Sequence, residues 1–183
     1  MQDLPLTKEG LAQARRAGAF CRQETYQPQA IYCAPLLRTR QTAEEVASAG
    51  RLPVLNYDPR LTEIDFGDWG GLTMDEVRRR FGNAEATAWD RDRIMPDNRG
   101  WSPSAAEITA GLEAFASEAV ASGMQCILAV TSNGILRFAA SLVPGLFEQL
   151  HAENKLKVST GNLCCLEWRG DAFACAFWNR KPD

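Results

Sequence analysis

The pattern that most constrains this chain is an alternation of short apolar runs with amphipathic stretches. Its sharpest instance is Cys126-Ile127-Leu128-Ala129-Val130, followed by the small polar turn Thr131-Ser132-Asn133-Gly134 and then by Ile135-Leu136. A short apolar run of this kind predicts a central buried strand, and a new helix starts near Ile135. The alternation as a whole predicts an α/β fold.

Other elements follow from caps and spacing. Thr7 can cap a helix carrying Leu11, Ala14, Ala17 and Phe20. Ala30-Ile31-Tyr32-Cys33 reads as a strand, Leu36 to about Ala49 as a helix ended by Gly50, and Pro53–Tyr57 as a further strand. Thr73-x-x-Glu76 and Ser104-x-x-Glu107 are capping boxes. The second opens a helix with Ile108, Leu112, Phe115, Ala116, Ala119 and Val120 on one face, stopping at Gly123. Residues 82–103 read as an irregular surface excursion, and Leu163–Trp168 with Ala172–Trp178 as a closing hairpin. With 183 residues and no linker or repeat, residues 1–183 are expected to form a single domain.

Composition removes several function classes. A net charge of -3 and a pI near 5.3 leave no basic excess for a phosphate backbone, so nucleic acid is not an expected partner. No run approaches a membrane span and no signal peptide is visible at the N-terminus, so a cytoplasmic protein is expected. The six cysteines (Cys21, Cys33, Cys126, Cys164, Cys165, Cys175) include no Cys-x-x-Cys, and several sit in apolar runs. They are read as reduced packing residues, with no metal and no other cofactor expected. The only histidine is His151, which excludes chemistry that needs two imidazoles of this chain. It is read as a surface helix histidine. A thiolate phosphatase is excluded by spacing, because four residues separate Cys33 from Arg38 and six separate it from Arg40, where a Cys-x5-Arg loop needs five.

In open α/β sheets ligands bind where strands end and helices begin. One such junction places Arg38 in the opening turn of a helix, where a cation opposes the macrodipole; this suits an anion site or an ordinary exposed arginine. The junction at Thr131-Ser132-Asn133-Gly134 suits either an anion at backbone amides or a capped turn. Glu63, opening the loop Glu63-Ile64-Asp65-Phe66-Gly67-Asp68-Trp69-Gly70-Gly71, is a general acid or a solvated loop residue. Arg78-Arg79-Arg80 reads as a solvated helix face, and Trp69, Trp168 and Trp178 as core.

Taken in order, four segments resemble the histidine phosphatase superfamily, in its phosphoglycerate-mutase-like branch. They are Asp3-x-Pro5-Leu6-Thr7-x-x-Gly10-x-x-Gln13-Ala14, Ile31 to Ala43 with Pro35-Leu36-Leu37-Arg38, Leu61-Thr62-Glu63 through Phe66-Gly67-Asp68-Trp69, and Val130 to Arg137. The resemblance implies a three-layer α/β/α fold with a mostly parallel sheet. It also implies a covalent phosphohistidine mechanism that needs no metal. Carried across, Arg38 is a phosphate-binding arginine and Glu63 the proton donor. Ser132 stands at the second histidine, and Asn133 where the family has glycine.

The family's Arg-His-Gly nucleophile ends a central first strand, and no such segment is found in this sequence. Losing about four buried apolar side chains, at roughly 1.5–3 kcal/mol each, rivals the roughly 5–15 kcal/mol net stability of a domain. The expectation is therefore that something fills the place of that strand, or that the natural chain starts earlier. Three functions follow. The chain is inactive or only binds a phosphate ester through Arg38, Ser132 and Asn133. Alternatively it is a phosphomonoesterase whose first strand is missing here, or an assembly protein that accepts a partner strand. The resemblance leaves a small phosphate ester or a phosphoprotein as ligand, with specificity in residues 82–103, and a homo-oligomer as an option.

Overall fold

The structure, a computed structural model, describes residues 3–23, 26–52 and 55–182. Helix α1 (Lys8–Gln23) starts where the Thr7 hydroxyl accepts a hydrogen bond from the Gly10 N–H. Strand β1 (Ala30–Cys33) leads into α2 (Leu37–Gly50), which ends on Arg51 in the left-handed region. Strand β2 (Leu55–Tyr57) follows; Pro53 and Val54 of the expected strand lie outside the described residues. Then come α3 (Met74–Phe81), α4 (Asn83–Asp92), α5 (Ala105–Ala121) and β3 (Ile127–Val130). The chain closes with α6 (Asn133–Ala139), α7 (Leu146–Ala152) and the hairpin β4 (Leu163–Trp168) and β5 (Phe173–Arg180).

Three strands form a parallel sheet in the order β2-β1-β3, with Ile31 opposite Leu55 on one side and Leu128 on the other. Alternation along β1 sorts side chains into two layers. Ile31 and Cys33 pack with Ala43, Leu128 and Val130 beneath α2. Tyr32 points the other way, edge-on to Phe115 of α5, toward a core of Ile108, Leu112, Ile135 and Phe138. The result is a three-layer α/β/α arrangement.

The sheet departs from the sequence expectation at β3. Its composition predicts a central strand, yet among the described residues it pairs with β1 alone, is only partly buried, and leaves Ala129 exposed. The hairpin β4-β5 forms a separate antiparallel sheet. The excursion at 82–103 is not irregular throughout, because α4 occupies its first half and buries Ala86 and Trp89. Trp168 is 45% exposed and does not belong to the core, whereas Trp69 does. The Arg78–Arg80 face is exposed, as its charge predicts.

Candidate functional site

The segment before α1 is pinned to the start of α2. The Leu37 N–H donates to Asp3 Oδ1 at 2.6 Å, and the Leu6 N–H donates to Gln41 Oε1 at 2.8 Å. Asp3 thus supplies the carboxylate that the helix start lacks in its own first turn, which offsets the unfavourable placement of Arg38. Thr39, buried one residue on, holds its hydroxyl 2.8 Å from the carbonyls of Ala34 and Leu36 and fixes the bend from β1. Arg38 is half-buried at this end of the sheet.

Glu63 is brought to the same end by a second tie. The Thr131 hydroxyl donates to the Leu61 carbonyl at 2.7 Å, clamping the Leu61–Glu63 segment to the end of β3. Glu63 then accepts hydrogen bonds from the Ile64 N–H at 2.9 Å and the Gly134 N–H at 3.4 Å. The approach is close enough that a Cβ at position 134 would lie 2.3 Å from Glu63 Oε1, so any larger residue in this first turn of α6 would force the Glu63 carboxylate to shift. Burial raises the Glu63 pKa. The amides of Ile64 and Gly134 and the charge of Arg38 oppose that rise without cancelling it.

Ser132 occupies the N-cap position of α6 but makes no capping hydrogen bond, leaving its half-buried hydroxyl uncommitted to the helix. Asn133 instead ties α6 to the segment that approaches β4. Its amide donates to the Val158 carbonyl, and its Oδ1 is buried without a partner. Asp3, Thr131 and Gly134 act as positioning residues, a role the sequence reading does not assign, although it names Asp3 within a motif and Thr131 and Gly134 within a turn suited to an anion or a cap. The Asp3-x-Pro5-Leu6-Thr7 motif carries a signal for the first, and the glycine after Asn133 for the last.

His151 is not a lone surface histidine. Its Nε2 lies 2.8 Å from Asp92 Oδ1 and its ring stacks on Phe147, so it is held in a contact between α4 and α7. Nearby, the Arg93 guanidinium lies 4.2 Å from the ring centroids of both Phe138 and Phe147, and buried Arg137 donates to the carbonyls of Trp89 and Asp90. The six cysteines form no disulfide, and burial raises each thiol, that of Cys164 up to about 12. Thiols so shifted are poor nucleophiles at neutral pH. Among the described residues no group of three or more His, Cys, Asp or Glu side chains is placed to hold a metal, and no helix is long and apolar enough to cross a membrane.

Comparison with known proteins agrees with this architecture. The 2,3-bisphosphoglycerate-dependent phosphoglycerate mutase of Methylobacterium radiotolerans is 30% identical over 152 residues, which are 80% of this chain and 71% of that protein. The structure of a mycobacterial glucosyl-3-phosphoglycerate phosphatase superposes with a TM-score of 0.79 at 23% identity, covering 98% of this chain and 89% of that one, a likeness of fold. Bacillus stearothermophilus YhfR gives a TM-score of 0.74 at 27% identity, over 98% and 86% of the two chains. The family model for the histidine phosphatase superfamily (branch 1) matches residues 1–181, and with the parallel sheet already described this chain belongs to that superfamily.

Proposed function

We propose that these 183 residues, read as one domain in a reducing, cytoplasmic setting, bind a small phosphate ester without transferring its phosphoryl group. Arg38 takes the phosphate, since a guanidinium offers a planar fork of N–H donors to phosphate oxygens. The Ser132 hydroxyl and the neighbouring Asn133 backbone complete the phosphate side. Glu63 faces the ester oxygen. The observation that carries this reading is the Glu63 environment: a half-buried carboxyl held by the Gly134 N–H, whose desolvation raises its pKa against the opposing charge of Arg38. A carboxyl kept protonated more readily than usual is what a neutral hydrogen-bond donor to an ester oxygen requires.

Covalent transfer is left out because His151, the one histidine of the sequence, stands at neither histidine position of the family motifs, and Ser132 offers one neutral hydroxyl in place of an imidazole. The relatives named above are a phosphoglycerate mutase and a glucosyl-3-phosphoglycerate phosphatase, which supports small phosphate esters as the class. Calorimetric titration with inorganic phosphate and glycerol phosphate tests the binding. Saturable binding is expected, weakened at least about tenfold in Arg38→Ala through loss of a charge-assisted contact. A phosphomonoesterase assay on the same protein is expected to show no turnover. Turnover that vanishes in Arg38→Ala and Glu63→Ala would overturn the non-catalytic part.

A second reading is favoured by one observation, the outer edge of β3, which pairs with no strand among the described residues. A further strand laid there, carrying the family's Arg-His-Gly nucleophile, would make this a phosphomonoesterase acting through a phosphohistidine. The coding sequence upstream of Met1 decides it. If no in-frame Arg-His-Gly precedes that codon, the second reading is abandoned.

A further inference from the structure

The phosphate ester and Glu63 draw on the same guanidinium, that of Arg38, and this step rests on the reading of that site just given. Glu63 is half-buried, and its two oxygens are held unequally. Oε1 accepts from the Ile64 N–H at 2.9 Å, whereas Oε2 lies 3.4 Å from the Gly134 N–H, a long contact. A proton can therefore be added at Oε2 while the tie to Ile64 is kept. Burial favours the protonated carboxyl; the amides of Ile64, Gly134 and Ile135 and the charge of Arg38 favour the ionised one.

The other charged groups around Glu63 are committed elsewhere or screened. Along its own segment, Arg60 is gripped by Asp58 and Glu118, each at 2.6 Å, and its hydrogen bonds hold Asp58 below the usual carboxylate range. Asp65 and Glu107 of α5 line the same cavity as Glu63, but both are exposed. Asp65 accepts from the Gly67 N–H at 3.1 Å, and the Ser104 hydroxyl and N–H lower the pKa of Glu107. On the α6 side Gly134 and Ile135 carry no charge, and Arg137 donates to the carbonyls of Trp89 and Asp90. On the α2 side stand Arg38 and the exposed Asp3 carboxylate, which the Leu37 N–H holds at 2.6 Å. Glu63 combines partial burial with a place beside Arg38, so it is the carboxyl that a bound anion would protonate first.

We infer that a dianionic phosphate ester enters this site together with one proton, taken from solvent onto Glu63 Oε2, so that the ligand is held at mildly acid to neutral pH and released as pH rises. Two effects act in the same direction. The dianion repels an ionised Glu63, and beside a half-buried carboxyl solvent screens that repulsion incompletely. The ester also neutralises Arg38, whose charge otherwise favours the carboxylate. The O–H bond formed at Oε2 turns a repelling acceptor into a donor toward the ester oxygen, and on release the proton returns to solvent. Uptake is confined to the pH window between the titration of Glu63 in the free protein and its higher titration in the complex. Affinity falls with rising pH across that window.

Glycerol 3-phosphate is titrated into the full chain by calorimetry in Tris and in HEPES, two buffers whose own ionisation heats differ. The difference in observed heat then counts the protons taken up. The second pKa of a phosphate monoester is about 6, so above about pH 7 the ligand's own charge is nearly constant. In that range wild type is expected to take up about half to one proton per ligand. Its affinity is expected to fall roughly tenfold as pH rises, the effect of displacing one titrating group by about one pH unit. Glu63→Gln keeps an oxygen for the Ile64 N–H and presents a permanently neutral donor. The variant is expected to take up no proton, with an affinity that varies less than about twofold over the same range. Should the variant fail to fold by circular dichroism, carbon NMR of the Glu63 carboxyl in wild type takes its place. That carboxyl is expected to titrate at higher pH when the ester is present. Equal heats in the two buffers, uptake that persists in Glu63→Gln, or a titration that the ester does not move overturns the proposal while the ester still binds. Absence of binding by glycerol 3-phosphate and by inorganic phosphate overturns the phosphate-site reading itself, and this proposal with it.

Discussion

Two carboxylates near the sheet end are shifted in opposite directions, and their pH signatures differ in sign. Burial raises Glu63 above its unfolded value, so its ionisation opposes folding. Its penalty is absent below the unfolded pKa and grows as pH rises through the folded one. Glu63→Gln is therefore expected to match wild type in urea denaturation at acid pH and to exceed it at neutral pH. Asp58 is the reverse case, because hydrogen bonds from Arg60 hold it below the usual carboxylate range against the cost of burial. Its contribution is present above the unfolded pKa and lost as pH falls through the lowered folded one. Asp58→Asn should cost about 1–3 kcal/mol at neutral pH, the range for a charged hydrogen bond, with the two curves converging on acidification. Gly134 is the third residue whose role is geometric. A methyl there meets Glu63 and, at 3.2 Å, Ile64 Cδ1. Gly134→Ala should cost roughly 1–3 kcal/mol by overpacking. It should also weaken phosphate binding at Arg38, which a purely structural role would leave in proportion to the folded fraction.

At the level of elements, α4 is the clearest case of a structure hidden from the sequence. Its periodicity is weak, because Asn83-Ala84-Glu85-Ala86-Thr87-Ala88 offers small and polar residues with only Ala86 and Trp89 buried. What holds it is a cluster of aromatic rings drawn from distant loops. Trp101 lies within 4.7–5.0 Å of Trp89, Phe66 and Trp69, each edge to face. Such contacts are invisible to a local window, whereas the two capping boxes are local and legible directly in Thr73-x-x-Glu76 and Ser104-x-x-Glu107. Trp89→Ala should cost about 3–5 kcal/mol, as expected for emptying a large core site, while Trp168→Ala on the exposed end of β4 should cost less than about 1 kcal/mol. Thermal unfolding followed by circular dichroism separates the two. Equal losses would mean that the aromatic cluster does not organise α4.

For the molecule as a whole, the informative fact is that, among the described residues, the two sheets are joined without strand-to-strand hydrogen bonds between them. Helix α1 provides the link. Ala14 and Ala17 pack with Val46, and both Leu128 of β3 and Leu163 of β4 rest on that cluster, while Phe20 meets Phe177 of β5 edge-on. The Asn133 amide adds one polar tie to Val158. The composition of β3, uniformly apolar over Ile127–Val130, reads as a strand covered on both sides, and pairing is the one property that composition does not encode. Ala129 is exposed because β1 supplies hydrogen bonds along one edge only. Hydrogen exchange by NMR measures this directly. Amides of Ile31–Cys33, in the strand with neighbours on both sides, are expected to exchange near the rate set by global unfolding. Alternate amides of Ile127–Val130, those turned away from β1, should exchange orders of magnitude faster, through local fluctuation rather than global opening. Uniform protection along β3 would mean that its outer edge is paired in solution, by a further strand or by a second copy, and would favour the strand-completed phosphomonoesterase or the assembly reading over simple ester binding.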